Sequence, residues 1–291
     1  MRELTLAVDA KAVLGEGPSW DSLLQCLYWV DIIGQKLHIY DPADQRDRTI
    51  EFDQYVSSVV PGKPGEVIVT LQHGFYRVNL QSGKTTPIAI VESDVDTNRF
   101  NDGKCDPAGR LWAGTMAIDE ARFQGNLYRL NPDLRVTRML TGVSISNGMA
   151  WSSDAKTMYY VDTPTREIVA FDYDISMGAI GDRRVVVRIP EDVGYPDGMT
   201  IDAEDMLWVA HWEGGRVSRW DPHSGSLLEE VMIPASRVTS CVFAGPDLTD
   251  LYITTARVGL DEATLKLQPG AGGLFRLTTD VKGSPTYRFA G

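Results

Sequence analysis

Six polar residues recur at one position of a repeating pattern: Glu16, Ser57, Asn101, Asn147, Asp197 and Ser240. Each stands ten or eleven residues before a short apolar strand. Together they offer two carboxylates, two amide carbonyls and two hydroxyls. A mixed carboxylate and carbonyl oxygen set suits a hard divalent cation such as Ca²⁺, Mg²⁺ or Mn²⁺. Zn²⁺ is less favoured without His or Cys in the set, but it stays open. Any one of these residues could instead satisfy backbone groups or hold channel water. Two carboxylates aimed into one space, however, are costly without a cation or donors. Arg99 lies two residues before Asn101, so on a strand both side chains face one way. There it could donate to an oxygen-rich ligand or form a structural ion pair.

The elements that position this set are the apolar strands themselves. They begin Leu27-Tyr28-Trp29, Val67-Ile68-Val69, Leu111-Trp112-Ala113, Met158-Tyr159-Tyr160, Leu207-Trp208-Val209 and Leu251-Tyr252-Ile253, at spacings of 40 to 49 residues. A second strand follows each, and most end in Asp, Asn or Pro turn chemistry. A period of this length has room for four strands, the blade of a β-propeller. The pattern predicts an all-β chain, residues 1–291, folded as a single six-bladed β-propeller. The first strand of each blade then lines a central channel, and the recurring polar position points into it at one depth. Leu4 to Val13 precedes the first full unit and is expected to add an outer strand to the last blade. Two insertions, Met116 to Gly125 and Val258 to Gly273, fall between the second and third strands of their blades, where loops commonly carry function.

Net charge is −12, from 28 basic and 40 acidic residues. That balance disfavours nucleic acid and anionic membrane as partners. No run reaches the ~18 apolar residues of a membrane helix, and the N-terminal residues lack the apolar stretch of a signal peptide. Cys26, Cys105 and Cys241 form no CxxC pair and read as buried reduced thiols. A cytoplasmic protein is the expectation. Asp172-Tyr173-Asp174-Ile175-Ser176 imitates the start of an EF-hand loop, but Met177 stands where Gly is needed. There is no GxSxG for a serine hydrolase. His38, His73, His211 and His223 lack metalloprotease spacing, and His211 with Trp212 reads chiefly as packing.

The segments LGEGPSW, NRFNDGKCDPAGRLWAGTM, ISNGMAW, PDGMTIDAEDMLWVA and AGGLFRL resemble, in order and through all six units, the regucalcin (senescence marker protein) and gluconolactonase family of sugar lactonases. The resemblance implies a propeller with one divalent metal in the channel, held by Glu16, Asn147 and Asp197. It also implies substrate contacts from Arg99 and Asn101, and from Asp119 in the first insertion, where the family more often has Glu. The implied reaction is hydrolysis of a sugar lactone to an open-chain aldonate, with Asp197 as general base and Ca²⁺, Mg²⁺, Mn²⁺, Fe²⁺ or Zn²⁺ as cofactor. Three alternatives remain at this point. They are a metal-dependent hydrolase of organophosphates or other esters, a non-enzymatic calcium-binding regulator, and a protein-binding propeller scaffold. The last has no need of the three converging ligands.

Overall fold

The computed structural model describes residues 3–291. Six four-stranded antiparallel sheets form among them, with consecutive strands paired as neighbours in every sheet. Only the last departs from simple sequence order: its outermost strand, Leu4–Val8, comes from the start of the chain and pairs with Leu274–Thr278. Closure of the ring therefore uses hydrogen bonds between the two ends of the chain, as expected, and leaves no open end blade.

The innermost strands are Gly15–Asp21, Val56–Pro61, Asn98–Cys105, Ser146–Trp151, Tyr195–Ile201 and Val238–Ala244, for blades 1 to 6. They pack in cyclic order, sixth against first. Blades 1 and 4 thus face each other across the channel. The apolar second strands are buried on both faces; Leu27, Tyr28, Trp29, Trp112, Leu207 and Trp208 are fully inaccessible. The outermost strands carry the charge, as Arg46–Glu51 does. Between blades the core is aromatic. Phe75 meets Phe100, Trp112 meets Trp151, and Trp208 meets Phe243, with centroids 5.1, 6.1 and 5.7 Å apart. Such tilted and edge-on pairs add to the burial of two large side chains.

Every innermost strand is bulged against its neighbour near the recurring polar position. A bulge leaves residues unpaired and re-aims their side chains. In blades 4 and 5 the residue after the polar one is glycine for lack of space. A Cβ on Gly148 would stand 2.7 Å from the Asp197 carbonyl oxygen, and one on Gly198 would stand 2.1 Å from Ser240 Oγ. The Asn-Gly and Asp-Gly pairs here are strand features that let blades approach, not turns.

The far face is crossed by the last residues of the chain. Ser284 N–H donates to the Ile201 carbonyl at 3.1 Å, Phe289 N–H to Pro61 at 2.9 Å, and Ala290 N–H to Gly109 at 3.0 Å. Phe289 is buried beside Phe100, Leu111 and Tyr128. One segment thereby ties blades 2, 3 and 5 together and lids that mouth of the channel.

Candidate active site

A cavity of about 390 Å³ opens at the near face, and Glu16, Arg99, Asn101, Asn147 and Asp197 all line it. This is the size of a small-molecule site. Local structure explains the convergence. In blade 1 the Asp31 carboxylate accepts the N–H groups of Val13 and Leu14 at 2.8 and 2.9 Å. In blade 4 Asp162 accepts those of Ser144 and Ile145 at 3.0 and 2.9 Å. The same clamp thus fixes the chain just before Glu16 and just before Asn147, on opposite sides of the channel. The equal separation from Leu14 to Asp31 and from Ile145 to Asp162 was available in the sequence as a signal for this clamp.

The ligand ends are oriented as well. Asn147 Nδ2 donates to Thr163 Oγ1 at 3.0 Å, and Thr163 Oγ1 donates to the Pro196 carbonyl at 2.8 Å. That chain turns Asn147 Oδ1 the other way, and this oxygen is buried without a hydrogen-bond partner, as is Asp197 Oδ1. Orphaned buried oxygens are rare and call for an explanation. Among the described residues Glu16 accepts the N–H of Gly17, at 3.0 Å. Burial, followed by the charge of Asp102, pushes the Glu16 pKa up to about 8. Asp197 is raised well above the carboxylate range by burial, then by Glu16 and Asp102. Among the described residues no three His, Cys, Asp or Glu side chains gather as metal ligands. The candidate set here is two carboxylates and an amide oxygen. Its unpartnered, acceptor-only oxygens fit a hard cation.

Arg99 donates from one nitrogen to the Phe100 carbonyl and to Asn101 Oδ1, at 2.8 and 2.7 Å. Asn101 Nδ2 donates to the Ser146 carbonyl at 2.8 Å. Asn101 therefore holds Arg99 in place and keeps one amide N–H for a ligand. Burial lowers the Arg99 pKa, while Glu16, Tyr55, Glu120 and Asp197 act to raise it.

Two expectations meet a different geometry. The ring of six at one depth is a set of four. Ser240 lines a second, smaller chamber beneath, with Asp102 and Lys104. Ser57 lines neither chamber. In blade 6 the bulge spans Val238 to Ser240, so counting from the second strand is off by one residue there. Asp119 is exposed and caps its own loop, accepting the Ala121 N–H at 3.1 Å. Its neighbour Glu120, at a φ of 62°, lines the cavity together with Arg122. The first insertion reaches the site and the second, which carries the short helix Glu262–Leu267, does not. Trp212 and Tyr195 also line the cavity. His211 is buried, its ring held between the Val193 carbonyl and Ser218 Oγ, and burial pushes its pKa down to about 4.

Residues 14–257 match the model of the SMP-30/Gluconolactonase/LRE-like region. The chain belongs to this family. It is 42% identical over 289 residues, 99% of both chains, to a protein of Bacillus subtilis (strain 168) named "Putative sugar lactone lactonase YvrE". It is 44% identical over 284 residues to the regucalcin of Gallus gallus, covering 96% of this chain and 95% of that one. A solved structure of a calcium-binding protein, regucalcin, from Agrobacterium tumefaciens superposes with a TM-score of 0.94 at 29% identity, covering 98% and 96% of the two chains. The family resemblance drawn from the sequence motifs is thus borne out, and with it the six-bladed fold.

Proposed function

We propose that this chain hydrolyses an aldonolactone to the open-chain aldonate, using one divalent cation held by Glu16, Asn147 and Asp197. The observation that carries the reading is the pair of buried, unpartnered oxygens, Asn147 Oδ1 and Asp197 Oδ1, lining one cavity with the Glu16 carboxylate. Membership of a sugar lactonase family supports the substrate class. A cation there supplies Lewis-acid polarisation of a carbonyl.

The chain's own groups do the rest. Asp197 accepts the proton of the attacking water through Oδ2, leaving Oδ1 for the cation. Arg99, fixed by Asn101 and the Phe100 carbonyl, turns its remaining N–H groups toward the lactone oxygens. The free Asn101 N–H donates to the oxyanion as the tetrahedral centre forms. Glu120 replaces Asp119 as the acidic contact for sugar hydroxyls, because it is the carboxylate that lines the cavity. Collapse of that centre breaks the ring C–O bond, and the proton held on Asp197 passes to the departing alkoxide.

The test is hydrolysis of D-glucono-1,5-lactone, followed by acid release, with chelator-stripped protein and after reloading with each of Ca²⁺, Mg²⁺, Mn²⁺, Fe²⁺ and Zn²⁺. Loss on stripping and recovery on reloading are expected. Unchanged activity in the stripped protein would sink the reading, and tight cation binding without turnover of any lactone would favour a binding protein instead.

A further inference from the structure

Blade 3 supplies Arg99, Asn101, Met116, Glu120 and Arg122 to the cavity and none of the three proposed cation ligands, which come from blades 1, 4 and 5. Glu92 is not a lining residue. It lies in the connection from the outermost strand of blade 2, Thr85–Ile90, to the innermost strand of blade 3. Its carboxylate nonetheless gathers the three inner strands of blade 3. Oε1 accepts the Thr115 hydroxyl at 2.9 Å, the Asn126 amide at 2.6 Å and the Tyr128 hydroxyl at 2.8 Å. Oε2 accepts the Asn98 amide at 2.9 Å. Four donors thus converge on one acceptor-only group, and bonds to a carboxylate are the short, strong kind. The backbone at Glu92 sits at a φ of 54°, a left-handed conformation that a residue with a Cβ rarely adopts.

Two of these donors adjoin the cavity wall. Asn98 precedes Arg99, and Thr115 precedes Met116. Asn98 Nδ2 also donates to the Gln124 carbonyl at 3.0 Å. The two roots of the first insertion, Thr115 and Gln124, therefore hang on the same carboxylate, one directly and one through Asn98. Between the roots, residues 118–124 are exposed, with φ of 62° at Glu120 and 65° at Phe123. Ile118 N–H ties this loop to the Thr97 carbonyl at 2.8 Å, again beside Asn98.

Resting on the lactonase reading for the ligand, we propose that Glu92 is a positioning residue for the substrate-binding wall. It fixes Arg99 relative to the loop that carries Glu120 and Arg122, and it takes no part in holding the cation. Without its carboxylate the roots of the loop come free. A wall in place about one-tenth of the time weakens a ligand about tenfold. Cation affinity, set by blades 1, 4 and 5, stays as it was.

Glu92→Gln tests this, because it keeps the shape of the side chain and turns one acceptor into a donor facing donors. In cation-loaded protein KM for D-glucono-1,5-lactone should rise ~tenfold, with kcat changed far less, as for binding shared by ground and transition states. The Mn²⁺ Kd by titration calorimetry should stay within ~twofold, since a role in metal orientation would move it more. Hydrogen exchange of the amides in residues 117–124 should quicken ~tenfold, while that of the blade 1 strand Cys26–Asp31 stays unchanged. That local pattern separates positioning from a general loss of stability, which would speed exchange in both segments. An unchanged KM, unchanged exchange in residues 117–124, equal acceleration in blade 1, or a Mn²⁺ affinity that falls with the substrate affinity would each overturn the proposal. If the wild type hydrolyses no lactone, the lactonase reading fails separately. The exchange pattern and a titration with 1,5-anhydro-D-glucitol, a ring that cannot be hydrolysed, then decide the role of Glu92. Faster loop exchange with ~tenfold weaker binding upholds it, and any other result overturns it.

Discussion

Stripping the cation should make the protein weaker as pH rises. Glu16 protonates at about 8 in the folded chain and at about 4.5 when free of the fold. Between those values the folded chain holds a proton that the unfolded chain has released. Stability therefore falls with rising pH across this window, by the linkage between proton binding and folding. The contribution is whole below pH 4.5 and is lost as pH climbs through 8. His211 works in the opposite direction below pH 6.5, because burial pushes its pKa down to about 4. The range free of His211 is thus pH 6.5 to 8.5, and Lys104, its pKa lowered by burial, opposes the Glu16 trend from the alkaline side. Integrating the Glu16 titration over that range gives a loss of about 2 kcal/mol. For a chain of 291 residues, unfolding with about 2.1 cal/mol/K of entropy per residue, that lowers Tm by about 3 °C. Asp197 and Asp102, also raised by burial, act in the same sense. With the cation present the slope should reverse, since ligand carboxylates bind it only when ionised. Calorimetric scans in chelator and in excess Ca²⁺ or Mn²⁺ measure both slopes. Glu16→Gln should flatten much of the slope in chelator. A Glu16→Gln slope equal to that of the wild type, or a stripped protein that gains stability from pH 6.5 to 8.5 while His211 stays neutral, would refute the reasoning.

Thr163→Val removes the acceptor that orients Asn147 and should weaken cation affinity ~10–100-fold with the fold retained, read by titration calorimetry. Gly198→Ala places a methyl against Ser240 Oγ and the blade 6 backbone; it should cost roughly 1–3 kcal/mol in denaturant unfolding, with an unchanged midpoint arguing against tight blade contact there. Phe289→Ala, in the segment that lids the far face, should cost about 3–5 kcal/mol in the same assay.

Much of this architecture is legible because a propeller repeats. A strand buried on both faces, such as Leu207–Trp212, needs an apolar run wherever it recurs, and the recurrence counts the blades. Glu16, Asn101, Asn147 and Asp197 are legible for the same reason, since each keeps its distance from such a strand. The rule fails where local backbone geometry intervenes. The bulge of blade 6 is placed differently from that of blade 5, and Ser240 goes to the lower chamber. Asp119 and Glu120 are adjacent carboxylates in a loop. Which one turns inward depends on a positive φ at Glu120 that residue counting does not reveal. Trp212 reads as packing, and it does pack against the core shared with Leu14, Val30 and Ala256, while also lining the cavity. The lid formed by Ser284 to Ala290 belongs to no repeat and so has no periodic signal.

Anomalous diffraction from a Mn²⁺-soaked crystal tests the central claim most directly. The account predicts one strong peak in the channel, with Glu16, Asn147 Oδ1 and Asp197 Oδ1 all at oxygen–metal distances of about 2.0–2.6 Å. A cavity without a peak, or a peak held by other residues, would contradict it.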